Sequence, residues 1–239
     1  MTASPNKELP KWLPFVVGFL LVIQFVGLAT WQFTKGWNKS AERDMYLDSA
    51  DGRPYTSGME VAPYQSLKAT GRFDNDRQML LDNFVIEGTV GYYVITPFVP
   101  DTGGPTILVN RGWIPRHRST PEQPNIEVDA SSPTTISGRA GSLPKPGLKM
   151  GEPFTPGQDW PKIGVYPNAA EVAAELGEPL DPVVFLLDPQ DPNGYFRQWE
   201  PEEMSAGRHF AYALQWFAMA AVLSALLIYH RRRSAARHD

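Results

Sequence analysis

The stretch LPFVVGFLLVIQFVGLATWQF, Leu13–Phe33, contains no Asp, Glu, Lys or Arg. Wound as a helix at 1.5 Å per residue it reaches about 31 Å, the thickness of a bilayer's hydrocarbon core. It is long enough to cross a membrane. Trp12 stands at one end and Trp31 and Trp37 at the other, where indole rings favour the headgroup level. A second run of the same kind, FAYALQWFAMAAVLSALLIY, Phe210–Tyr229, lies near the other end of the chain, between His209 and His230-Arg231-Arg232-Arg233. The chain's average of 42% apolar and 20% charged residues, with a mean hydropathy of -0.30, hides these two blocks. They exclude both a plain soluble enzyme and a many-span transporter.

Basic residues beside a span stay on the cytoplasmic side. Lys7 and Lys11 precede the first run, and Arg231, Arg232, Arg233 and Arg237 follow the second. Behind the first run Lys35, Lys39 and Arg43 are mixed with Glu42, Asp44 and Asp48, a weaker retention signal. The expected organisation is a cytoplasmic N-terminus over 1–12, a first span over 13–33, an extracytoplasmic domain over 34–208, a second span over 209–229 and a basic cytoplasmic tail over 230–239. Leu28-Ala29-Thr30 is no clear small-x-small cleavage site, which favours a retained helix over a cleaved signal peptide. The short start before Leu13, with Lys7, Glu8 and Lys11 as its charges, suits a bacterial plasma membrane better than a mitochondrion.

The middle is large enough for one domain of ordinary size. Asn38–Ala50 reads as a charged helical continuation of the first span. Leu67–Phe73, Gln78–Ile86, Val90–Val99 and Thr106–Trp113 are rich in Val, Ile, Tyr and Phe and are separated by Gly, Pro, Asp and Asn, the punctuation of strands and turns. Glu87-Gly88 and Asp101-Thr102-Gly103-Gly104 suit hairpin turns. Pro115–Pro167 holds ten prolines and reads as ordered loop, anchored by Phe154, Trp160 and Ile163, with one strand at Thr134–Ala140. Asn168–Leu176 carries the signals of a capped helix ending before Gly177, and Val183–Leu187 those of a last buried strand. The fold class is thus α+β: an antiparallel pair of transmembrane helices flanking one β-rich domain, a curled antiparallel sheet.

Catalytic signatures are missing. The chain has no cysteine, which removes disulfides and thiol chemistry. His117 is the domain's one histidine, and no nucleophile elbow, phosphate loop or His-Glu-x-x-His is present. Asp181, Asp188 and Asp191 adjoin prolines at a spacing unlike a calcium loop, so turn duty is expected of them. A net charge of -4 without a basic cluster in the middle argues against nucleic acid.

The informative residues lie at the outer ends of the spans. His209 opens the second, with Tyr212 or Ala213 and then Trp216 at helical spacing, and Trp31 and Gln32 close the first at the same expected depth. An imidazole there is either an amphipathic anchor or, with aromatic walls and Arg208 to pair propionates, a haem ligand. Deeper in the bilayer, Gln24 and Gln215 suggest an amide pair across the hairpin or toward a partner's helix.

Trp31-Gln32, Gly91-Tyr92-Tyr93-Val94-Ile95-Thr96-Pro97, Val109-Asn110-Arg111-Gly112-Trp113-Ile114-Pro115 and His209-Phe210-Ala211-Tyr212 with Trp216, in this order between two terminal spans, resemble the Surfeit-locus-one (Shy) family of cytochrome oxidase biogenesis factors. The resemblance covers almost the whole chain. It implies a non-enzymatic membrane-anchored assembly factor for an aa3-type cytochrome c oxidase, which binds haem a or hands it to the core subunit. It also implies His209 as ligand to the haem iron, with Trp31, Tyr212 and Trp216 near it; the reading of the residues themselves adds Arg208 and Gln32 around the cofactor, and haem a synthase or supercomplex subunits are expected as further partners. Lys35 stands where the family often has arginine, and Ala206-Gly207-Arg208 replaces more usual polar residues before the histidine. The alternative is a resident accessory subunit of an oxidase or supercomplex with no cofactor of its own. The motif Asn110–Pro115 is expected to shape the domain or its docking surface rather than to touch a cofactor.

Overall fold

A computed structural model describes residue 10 and residues 12–48, 52–116, 124–144, 152–199 and 205–235. His117, Lys7, Glu8, Lys11 and Arg237 lie outside these. The chain divides into two compact units, one made of 1–43 with 202–239 and the other of 44–201.

The first unit holds the two long helices, α1 (Leu13–Leu47) and α3 (Ala206–Ala235). Both are long and apolar enough to cross a membrane. At 35 residues α1 is far longer than a bilayer core requires, and its charged last turns continue the apolar part without a break. Hydroxyls inside the spans are satisfied locally: Thr30 Oγ1 donates to the Val26 carbonyl, Thr34 Oγ1 to that of Thr30 and Ser224 Oγ to that of Ala220.

The second unit is a β-barrel. Its strands are β1 (Arg53–Pro54), β2 (Ser66–Phe73), β3 (Met79–Ile86), β4 (Thr89–Pro100), β5 (Thr106–Pro115), β6 (Thr134–Gly141), β7 (Lys162–Gly164) and β8 (Leu180–Leu187), with the short helix α2 (Ala169–Leu176) before the last. Hydrogen bonding runs β2–β6–β8–β5–β4 and returns from β4 to β2, which closes a ring of five strands. Numbered along the chain, the ring order is 1-2-3-5-4, a small Greek-key barrel of the class that includes the OB-fold. Closure removes the exposed edges an open sheet would present.

Two features depart from the expected antiparallel sheet. β8 runs parallel to β5, because the segment containing α2 carries the chain back across the barrel before β8 enters. Lys162–Gly164, expected as loop, forms β7 parallel to Met79–Leu81 of β3. Three residues with one β-branched member gave no alternation to read.

The turns follow their residue types. Glu87 and Gly88 both adopt positive φ, at 50° and 77°, joining β3 to β4 in the geometry a two-residue hairpin needs. Asn168 caps α2: its Oδ1 accepts the Glu171 N–H, the Glu171 carboxylate accepts the Asn168 N–H, and Gly177 ends the helix in the left-handed region. Asn168→Ala should lower the stability of the barrel by about 1 kcal/mol, read from thermal unfolding of the purified chain. Asp181, Asp188 and Asp191 each accept the backbone N–H two residues on, the turn duty expected of them.

Alternate residues of the ring strands fill the barrel, among them Leu67, Phe73, Phe98, Ile107, Val109, Ile136, Phe185 and Leu187. The outer face of β3, β4, β5 and β8 buries Met79, Leu81, Ile95, Leu108 and Val184 beneath Val172 and Leu176 of α2 and Phe154. Phe154 and Trp160 thus do anchor the proline-rich segment. Polar groups close the two ends of the barrel. At the start of β8 the Tyr55 hydroxyl donates to Asp181 Oδ1 at 2.7 Å, and burial, then the Asp181 carboxylate, pushes the phenol well above its ordinary pKa. Midway along β5, just past Asn110, the last β5 residue paired with β8, sits Arg111, 2% exposed.

Candidate functional site in the helix pair

The chain's small residues decide where α1 and α3 meet. Gly18, Ala29 and Gly36 are buried on α1, and Ala213 and Ala220 on α3. A methyl on Gly18 would come within 2.7 Å of Leu227 Cδ2, and one on Gly36 within 2.9 Å of the Phe210 ring and 3.1 Å of His209 Cβ. These positions recur 11 and 7 residues apart on α1 and 7 apart on α3, whole sums of three- and four-residue steps that keep one helix face, the seam of a packed antiparallel pair in which small side chains let helices approach. Along it Phe25 meets Trp216 with ring centroids 5.6 Å apart, and Phe33 meets Phe210 at 5.6 Å.

His209 falls in this seam and is 9% exposed. Its Nδ1 lies 2.7 Å from Gln32 Oε1. A carboxamide oxygen only accepts, so in this arrangement Nδ1 donates, and in the neutral imidazole that leaves the lone pair on Nε2. An imidazole fixed in this way presents one nitrogen to a metal, and the partner on the other nitrogen sets the ring's orientation. Gln32, expected among the groups around a cofactor, is thus placed to hold the histidine.

The other candidates divide. Trp216 is half-buried against Phe25, while Trp31 is 53% and Tyr212 46% exposed, and Arg208 is exposed in the first turn of α3. Of the two residues considered at the second helical position, Ala213 occupies the seam and Tyr212 its flank. Gln24 and Gln215 are both exposed, with no hydrogen bond between them among the described residues. The seam runs through Phe25 and Trp216, one residue on from each, so the expected amide pair across the hairpin does not form. Gly36 and Phe25 went unnoticed in the sequence; a glycine inside a charged helical stretch was the one signal for the first.

Fold and site together define a membrane protein with two terminal spans, a Greek-key barrel encoded between them and an oriented histidine in the helix seam. The SURF1 family model matches residues 19–221, and the chain belongs to that family. It is 31% identical over 227 residues to an uncharacterized SURF1-like protein of Mycobacterium bovis, spanning 87% of this chain and 79% of that one. It is 32% identical over 136 residues, 52% of this chain and 35% of the other, to the cytochrome oxidase assembly protein SHY1 of Saccharomyces cerevisiae. Surfeit locus protein 1 of Xenopus tropicalis is 25% identical over 250 residues, 93% of this chain and 76% of that one.

Proposed function

We propose that this chain is an assembly factor for an aa3-type cytochrome c oxidase that takes haem a on His209 and passes it to the core subunit. Family membership and the yeast relative's role in oxidase assembly support the process. The observation that carries the haem reading is the His209–Gln32 pair, an imidazole with one nitrogen committed and the other without a hydrogen bond among the described residues.

Haem a is cargo here, and the chain's residues bind and orient it. His209 Nε2 supplies one axial bond to iron. Arg208 offers a guanidinium to the propionates, and Trp31, Tyr212 and Trp216 offer aromatic faces to the ring. Among the described residues no group of three or more His, Asp or Glu gathers into a metal cage. A single imidazole would hold iron loosely enough for stronger ligands in the receiving subunit to withdraw it. The basic end of α3 would face the cytoplasm of a bacterial plasma membrane, which leaves the barrel outside with the recipient's haem side.

The chain purified in detergent from cells making haem a should show a Soret band that His209→Ala abolishes, with equal amounts of folded protein. A strain lacking the chain should lose most aa3 oxidase activity, regained with the wild type and not with His209→Ala. An unchanged spectrum in the variant removes the ligand assignment; unchanged oxidase activity in the deletion removes the assembly role.

A further inference from the structure

Gln24 and Gln215 are exposed in the middle portions of two helices that cross lipid. An amide facing hydrocarbon has no water to bond, so it calls for a protein partner. The helix geometry specifies that partner. Successive residues are about 100° apart around a helix. Phe25 faces Trp216 across the seam. Gln24 precedes Phe25 and Gln215 precedes Trp216, so each amide is turned about 100° from the seam. Because α1 and α3 run in opposite directions, equal backward steps carry both amides to the same flank of the hairpin. Phe33 and Phe210, which also touch, mark the opposite flank. The two amides lie within about 3 Å of a common depth, one residue's rise to either side of the Phe25–Trp216 level.

We propose that this flank pairs with a second copy of the chain about a two-fold axis along the membrane normal, with Gln24 of each copy bonded to Gln215 of the other. Rotation about such an axis sets α1 opposite α3 of the second copy and preserves depth, so both amides are met by one repeated surface. A carboxamide both donates and accepts, which makes each pair self-complementary. One foreign helix seated in the groove would serve neither well, since both amides are rotated outward past the seam.

The chain has no cysteine, so introduced thiols are its only ones. Leu21→Cys and Met219→Cys, carried by separately tagged copies in one membrane, should give a disulfide-linked dimer under copper-phenanthroline oxidation. Val26→Cys with Phe217→Cys, on the opposite flank, should not. Adding Gln24→Leu and Gln215→Leu to the first pair should cut its yield at least tenfold at equal membrane abundance. The pairing is overturned by no dimer from the first pair, by equal yields from the two pairs, by a yield insensitive to the leucine changes, or by thiols that link to a different protein instead.

Discussion

Arg111→Met will destabilise the barrel by about 3–5 kcal/mol, which lowers its unfolding temperature by about 10 °C. The guanidinium is buried midway along β5, just past the last residue of β5 that pairs with β8. Its Nε donates to the Asn193 carbonyl at 2.7 Å, and Nη1 to Gln78 Oε1 at 3.0 Å and the Ile126 carbonyl at 2.6 Å, with Thr96 Oγ1 3.3 Å away. The Phe73 and Tyr195 rings lie 5.9 and 5.1 Å from its central carbon. Burial pulls its pKa down, yet an arginine remains charged. No carboxylate forms an ion pair with it among the described residues; neutral acceptors and ring faces hold the charge. Methionine fills part of the volume and leaves those acceptors without donors, each at a cost of about 1–3 kcal/mol. Arg111→Lys should fall between, because one ammonium cannot span acceptors arranged for a planar fork. The control is Arg72→Met, an exposed residue of β2, expected within about 0.5 kcal/mol of the wild type. Thermal unfolding of the three variants decides, and an Arg111→Met curve that overlays the control would show the guanidinium to be dispensable.

This arginine also shows what the sequence made legible. The motif Asn110–Pro115 was expected to shape the domain, and it does: Asn110 Oδ1 accepts the Gly112 N–H, Gly112 takes φ 109°, Arg111 closes a barrel end and Trp113 Nε1 donates to the Phe84 carbonyl. Strand identities were readable because β2, β4, β5 and β8 are short apolar runs bounded by turn residues. The curling of the sheet toward a barrel was expected and is found; which strands close the ring was not legible, since the β2–β4 pairing joins strands with β3 between them, and no local pattern encodes which edges meet. At the candidate site the depth argument located His209 beside Gln32, because rise per residue is fixed. Rotation about the helix axis was the missing quantity. It depends on which small residues form the seam, and Gly18, Ala29 and Gly36 show that only once α3 is laid against them. For this reason Gln24 and Trp31, placed by depth, and Tyr212, placed by helical spacing from His209, turn out to lie on a flank.

Gly91→Val will destabilise the barrel by about 3 kcal/mol and sharply lower the amount of folded chain in the membrane. Gly91 sits in β4 opposite Pro115, next to the Tyr92–Ile114 and Tyr93–Trp113 pairs, so the two sequence motifs of the barrel are the two sides of one ladder. A Cβ there would lie 2.2 Å from the Ile114 carbonyl oxygen and 2.4 and 2.5 Å from two atoms of the Trp113 ring. The ring cannot swing clear without losing its bond to the Phe84 carbonyl, 3.2 Å away, and its edge contact with Phe196. The carbonyl cannot move without opening the ladder. Two obstacles of different kinds allow them to be separated. Gly91→Ala in a Trp113→Phe background removes most of the ring conflict and keeps the carbonyl conflict, so it should remain about as unstable as the sum of its two single changes. Rescue by the smaller ring would place the strain in the side chain instead. Gly27→Ala supplies the contrast: that glycine is helical with nothing within 4 Å of the added carbon, and the methyl should leave stability unchanged or raise it by up to about 1 kcal/mol.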